Sequence, residues 1–170
     1  MRILLVTETL TVGGAETFVV RLANALAINH YVTLAVMLGD RTNESLAGKI
    51  DSTVDVRELH LPLIRWRWRF DGLMRRMGID LSLVRLAQRR WMAKLLRDCC
   101  PDVAHSHLLK ADLLVADVRR RRPTMRHVIT LHGDYGPFLS GLADSQMLNV
   151  AKRAKRILAS SDAIVAICQE

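Results

Sequence analysis

The chain has 170 residues, half of them hydrophobic, with a net charge of +8 and an isoelectric point near 10.1. That length and apolar share suit one domain with a real core and exclude a disordered chain. No apolar run approaches the ~18 residues of a membrane span. Cys99, Cys100 and Cys168 make no disulfide framework and fit a reducing, cytoplasmic setting.

The chain opens with the apolar run "RILLV", which reads as a buried parallel strand. The run is too short for a secretory leader and gives way to polar Thr7 and Glu8. A loop with paired glycines follows, "TVGGAE" from Thr11 to Glu16. Apolar residues at Phe18, Val19, Leu22, Ala23 and Leu26 then predict a helix over 16–30. Strands are expected at 31–38 and 55–61, the second closed by Pro62, with a short helix at best over 45–50.

The basic excess is regional. Between Arg57 and Arg97 lie 11 of the 25 Lys and Arg residues but only 3 of the 17 acids, so the rest of the chain is neutral. Within that region stands "IRWRWRF", 64–70. As a strand it sends Trp66, Trp68 and Phe70 to one face and Arg65, Arg67 and Arg69 to the other. As a helix it lines up Trp66, Phe70, Leu73 and Met77. Both conformations give an apolar side and a cationic side, which suits an anionic membrane surface. The other reading packs the aromatics into the core and leaves the arginines in water.

A long helix over 81–100, with Leu81, Val84, Ala87, Trp91 and Leu95 along one side, is stopped by Pro101. Next come a strand at 102–108, a helix at 110–122, a strand at 127–133, a helix at 147–161 and a last strand from Ala163. Strands alternating with helices imply βαβ units: a doubly wound, mainly parallel, Rossmann-like α/β sheet. The last strand lacks the helix that normally covers it, so 1–170 reads as one domain of a longer protein.

Three places are candidates for chemistry, with an ordinary tight turn at the glycines and satisfied structural histidines as the other readings. Gly13 and Gly14 let a ligand approach the backbone at a helix N-terminus, where N–H groups are free for an anion; the spacing is neither a dinucleotide fingerprint nor a P-loop. "HSHL" delivers His105 and His107 to one face of a strand. We expect one structural histidine and one at the cleft, with His107 nearer the carboxyl end where open α/β sheets bind ligands. "TLHGDYG" sets His132, Gly133 and Asp134 at the end of the next strand. No acid or cysteine cluster joins these histidines at metal-ligand spacing, so no metal is expected. No Ser-His-Asp set with nucleophile-elbow spacing appears. Asp112 and Asp117 read as solvated.

Together, "MRILLVTETLTVGGAETFVVRLANAL", "PDVAHSHL", "VITLHGDY" and "SDAIVAICQE" resemble the N-terminal domain of retaining GT-B-fold glycosyltransferases of the group-1 family, family 4, in order and over nearly the whole chain. The resemblance implies an acceptor-side domain facing a second domain, absent from this sequence, that binds the nucleotide-sugar through an E-x7-E motif. It implies that Gly13 and Gly14 approach the donor diphosphate and acceptor, and that His132 faces the reacting sugar as the catalytic candidate. His107, Gly133 and Asp134 are the further binding candidates of the reading. Neither a cofactor nor a metal is implied; the nucleotide-sugar is a substrate. The acceptors implied are glycans or lipid-linked precursors at the inner membrane face, which gives the patch at 65–70 a purpose. Cys168 stands where the family has a serine, which weakens any role for Gln169 and Glu170. The competing classes are a non-catalytic module binding an anionic membrane or another polyanion, with nucleic acid disfavoured for want of a recognised module, and half of a GT-B-fold sugar epimerase.

Overall fold

A computed structural model describes residues 1–79, 81–120, 122–133 and 148–167. Asp134, Cys168, Gln169 and Glu170 lie outside the described residues. Six strands form one sheet: β1 (Arg2–Thr7), β2 (Tyr31–Val36), β3 (Asp55–Glu58), β4 (Val103–His107), β5 (Arg126–Leu131) and β6 (Ala163–Ala166). Every pairing is parallel, in the order β3-β2-β1-β4-β5-β6. Among the described residues six α-helices accompany them: α1 (Gly14–Ala27), α2 (Glu44–Ala47), α3 (Ile64–Arg76), α4 (Leu83–Cys99), α5 (Leu109–Arg119) and α6 (Leu148–Ser160).

The central strand shows why the sheet needs helices on both faces. Leu4, Leu5 and Val6 of β1 are fully buried although they alternate sides. Leu5 packs with Val19, Val20 and Ala23 of α1, while Leu4 and Val6 pack with α4 and α5 through Met92, Leu96 and Val115. The strand order reverses between β1 and β4, so their carboxyl ends open a crevice where the chain departs in opposite directions.

Several boundaries differ from the sequence reading. The third strand ends at Glu58, but Leu59 N–H still reaches the Val36 carbonyl at 2.9 Å, and only then does the chain leave the sheet. α1 begins at Gly14, so the second glycine belongs to the helix. The buried side of α4 is Val84, Met92, Ala93, Leu95 and Leu96; Leu81 precedes the helix and is exposed. Of the expected stripe, Val84 and Leu95 are buried and Ala87 and Trp91 pack at the edge of the core, while Met92, Ala93 and Leu96 widen the buried face beyond it. Asp112 is buried, and Asp117 is held by Arg153 at 2.8 Å through both carboxylate oxygens. Neither is a solvated acid.

The arginine–tryptophan stretch is helical. Trp66 and Phe70, one turn apart, stack with centroids 5.8 Å apart, and α3 packs on α4. Trp68 lies off that stripe, with the Arg41 guanidinium 5.0 Å from its ring centroid. The strand alternation that put all three aromatics on one face does not occur. Nor are the tryptophans core residues: Trp66 is 58% exposed and Trp68 39%, and Leu73 and Met77, on the Trp66 stripe, are exposed too.

Buried Asp71 joins α3 to α4. It accepts from the Ser82 hydroxyl and from Leu83 N–H at 2.7 Å, while Ser82 caps α4 by accepting from Arg85 N–H at 3.1 Å. Replacing Asp71 by Ala strands both donors at the start of α4. We expect a loss of about 2 kcal/mol in denaturant-induced unfolding; a change below a few tenths would show that α3 is held by its apolar contacts alone.

Candidate functional site

The carboxyl ends of β1, β4 and β5 carry the groups that the sequence reading singled out. β4 pairs with β5 so that His105 lies opposite Val128 and His107 opposite Thr130. His105 and His107, two residues apart, share the sheet face that α1 covers. His132 follows β5 directly, with exposed Gly133 beside it. His107 Nδ1 is 2.9 Å from His132 Nε2. Phe18 of α1 closes the group, its ring 5.9 Å from that of His107 and 5.4 Å, edge-on, from that of His132.

His105 is the structural histidine, with Nε2 2.6 Å from the Thr130 hydroxyl. His107 does not open to the cleft. It is fully buried behind half-exposed His132, with its ring 4.4 Å from that of His105. The residue that reaches solvent is therefore His132. Leu108, next to His107, has φ 74°, a left-handed backbone unusual for leucine, as α5 leaves the strand.

The glycines have separate roles. Gly13 caps α1 in an extended conformation that any residue adopts. What it lacks is room: a Cβ there would meet Glu16 Oε2 at 2.4 Å. Glu16 is buried, and its Oε1 accepts from the hydroxyls of Thr9 and Thr11, each at 3.1 Å. Gly14 has no atom within 4 Å of a built Cβ and faces open space at the helix N-terminus. The loop is thus braced from below by Glu16 and open from above. Glu16 stood within the quoted motif, but nothing in the sequence revealed that the two threonines bond to it.

Burial sets the protonation of these histidines. It pushes His105 down to about 4, with His132 acting in the same sense. Burial, then the neighbouring His105 and His132, holds His107 well below the ordinary imidazole range. His132 is lowered by burial, while the Glu16 carboxylate pulls it back up. The edge is thus lined by neutral imidazoles, suited to hydrogen bonding with uncharged hydroxyls rather than to binding anions by charge. Among the described residues, no three His, Cys, Asp or Glu side chains are grouped to hold a metal ion.

A serine, a histidine and an aspartate do meet, on the other face of the sheet. Ser106 Oγ donates to Asp112 Oδ1 at 2.6 Å and lies 2.7 Å from His127 Nε2. Since the single hydroxyl proton goes to Asp112, His127 Nε2–H donates to Ser106. That polarity is the reverse of a nucleophile and its base, and all three residues are buried. Burial first, and then Arg119, brings His127 down to about 4. The trio ties β4, α5 and β5 together. A cavity of about 590 Å³ lined by Arg2, Tyr31, Thr33, Arg57 and Asp98 lies at the amino end of the sheet, away from the histidines.

A six-stranded parallel sheet in this order, with a glycine-led helix and histidines at its carboxyl edge, defines a Rossmann-like domain of the kind that meets ligands at that edge. The chain belongs to glycosyltransferase family 4, whose family model matches residues 12–170. In fold it is similar to Phytolacca americana UGT2 (TM-score 0.65, 12% identity, 97% of this chain and 47% of that one). It is also similar to a glycosyltransferase from Rickettsia africae ESF-5 (TM-score 0.56, 18% identity, 98% of this chain and 42% of that one). The chain thus spans just under half the length of each. It is a Rossmann-like half of the GT-B fold. No curated protein matches it in sequence.

Two outcomes follow. Gly13→Ala forces the Glu16 carboxylate off Thr9 and Thr11 and costs about 1–3 kcal/mol, whereas Gly14→Ala is neutral or slightly stabilising in a helix. In a Glu16→Ala background most of the Gly13→Ala cost disappears, a coupling that a double-mutant cycle measures. Second, histidines at about 4 in the fold and 6.5 when unfolded bind more protons in the unfolded chain between those values. Stability is therefore full above pH 6.5 and falls as pH drops towards 4, on the order of 3 kcal/mol for each of His105 and His127. Urea unfolding at pH 7.5 and 5 checks this; equal stabilities would mean that these imidazoles titrate normally.

Proposed function

We propose that this chain is the acceptor-side half of a retaining glycosyltransferase that moves a sugar from a nucleotide-sugar to a glycan or lipid-linked acceptor. The observation that carries the reading is the convergence, in a member of glycosyltransferase family 4, of the open α1 N-terminus and His132 at the crevice beside β4. A fold neighbour, Phytolacca americana UGT2, is complexed with UDP-2fluoro-glucose and pterostilbene, which supports a nucleotide-sugar and an acceptor as ligands of such a fold.

In this reading the first-turn N–H groups of α1, unused within the helix, meet the donor diphosphate, and Gly14 lets it approach. Neutral His132 hydrogen-bonds the reacting sugar, and Gly133 leaves space beside it. Asp134 remains a binding candidate by its sequence position. A donor phosphate oxygen takes the acceptor proton on the face from which the diphosphate leaves, which retains the configuration. Neither a metal nor a nucleophilic side chain is required. The second half of the fold supplies most of the donor pocket, so the 170 residues alone are inactive. Release of nucleoside diphosphate tests this, measured for the native polypeptide and for this chain separately. Transfer is expected only from the former, and His132→Ala should lower it by roughly 100-fold or more. Robust turnover by this chain alone, or full activity of the His132 variant, overturns the respective claim.

The exposed stripe of α3 supports a second element: peripheral docking on an anionic membrane, at its cytoplasmic face. α3 carries five arginines and one acid, the buried Asp71, and Arg65, Arg69 and Arg76 flank Trp66, Leu73 and Met77. Among the described residues no helix is long and apolar enough to cross a membrane. Each arginine near such a surface contributes ~1 kcal/mol and each exposed aromatic adds apolar burial. The protein should co-sediment with vesicles rich in phosphatidylglycerol but not with phosphatidylcholine vesicles, and the triple variant Arg65→Glu, Trp66→Ser, Arg69→Glu should stay in solution. Equal partition to both vesicles contradicts docking.

A further inference from the structure

Buried behind His132 stands a second histidine that touches no solvent. The hydrogen bond between them, His107 Nδ1 to His132 Nε2 at 2.9 Å, contains one proton, and either ring could supply it. The surroundings of His107 decide which. Its other nitrogen, Nε2, is buried and has no hydrogen-bond partner among the described residues. If His132 donated, neutral His107 would carry its own proton on that Nε2, leaving an N–H donor orphaned in the interior. If His107 donates from Nδ1, Nε2 keeps only a lone pair. Orphaned buried N–H groups are rarer than under-satisfied acceptors.

We propose that His107 is a positioning residue: by donating from Nδ1 to His132 Nε2 it fixes His132 with its proton on Nδ1, a neutral N–H donor for an oxygen of the bound sugar. The sugar is taken from the function proposed above; the tautomer is not. Phe18 and the His105 ring hold the plane of His107, so the bond has a set direction. The arrangement also resists acid. Protonating His132 places a hydrogen on its Nε2, which obliges His107 to move its proton to the orphaned position. Among the described residues, the charged or titratable groups around His132 are Glu16 from α1 and His105 and His107 from β4, and of these Glu16 favours the cation.

The test is the nitrogen-15 spectrum of the histidine side chains, with long-range proton correlation, in the native polypeptide at pH 7.5. Both His107 and His132 should be protonated at Nδ1 and bare at Nε2. A His132 protonated at Nε2 overturns the proposal. In His107→Phe, His132 should shift towards the Nε2–H form, and its titration midpoint should move. In His107→Asn, which keeps an N–H donor near the same place, the wild-type tautomer should persist. Where transfer is measurable, kcat should fall by more than KM rises in the Phe variant and recover in the Asn variant. If the Phe variant does not fold, the wild-type spectrum still decides. An Nδ1–H His132 in a protein that transfers no sugar would defeat the functional reading and leave this one standing. An Nε2–H His132 in an active enzyme would do the reverse.

Discussion

The parallel register of β4 between β1 and β5 is the constraint on which the rest depends. Leu5 of β1 lies beside His105, and His105 beside Val128, so three strands end at nearly the same level. Because side chains alternate along a strand, that register sends His105 and His107 towards α1, and Ser106 and His127 towards α5. A slip of one residue would exchange the two sets. It would place a Ser–Asp network under Phe18 and bury the histidine pair against the helices on the other face. What opposes the slip is the polar side chains of β4: Ser106 would lose Asp112 and His105 would lose Thr130, each left buried without its partner.

From that register follows a division of labour between two buried polar clusters. On one face Ser106, Asp112 and His127 satisfy one another and hold β4, β5 and α5 together. On the other, His105 is satisfied by Thr130, His107 leans on His132, and His132 reaches solvent. Structure recedes into function along a single row of side chains. Glu16 braces the opposing loop through Thr9 and Thr11 and sets a negative charge beside His132. The edge thereby combines neutral imidazoles with free backbone N–H groups, a pairing suited to a ligand with hydroxyls at one end and phosphates at the other.

Much of this was legible in the chain. Alternating apolar runs and helical periodicity marked all six strands and the four longest flanking helices apart from α3, because buried parallel strands carry a dense apolar signal. Gly13, Gly14, His107 and His132 stood out as candidates because they close or follow strands at the carboxyl edge, where the structure places them. Other features were not legible, for physical reasons. Alternation of Arg and Trp in "IRWRWRF" has a period of two, yet the segment is helical, since packing on α4 and the Asp71 link outweigh local pattern. Charge misled for Asp112, whose partners come from β4 and are invisible in a helix read alone. Which of two histidines faces the cleft depends on what lies beyond the strand. There His132 covers His107, a contact across 25 residues.

The central claim is that the carboxyl edge of this sheet receives a nucleotide-sugar between α1 and His132. The most direct measurement is a crystal structure of the native polypeptide with a non-hydrolysable nucleotide-sugar. The account predicts diphosphate oxygens within hydrogen-bond reach of the first-turn N–H groups of α1, and a sugar oxygen near 3 Å from His132 Nδ1. A nucleotide-sugar bound away from this edge, with His132 touching none of it, would contradict the account.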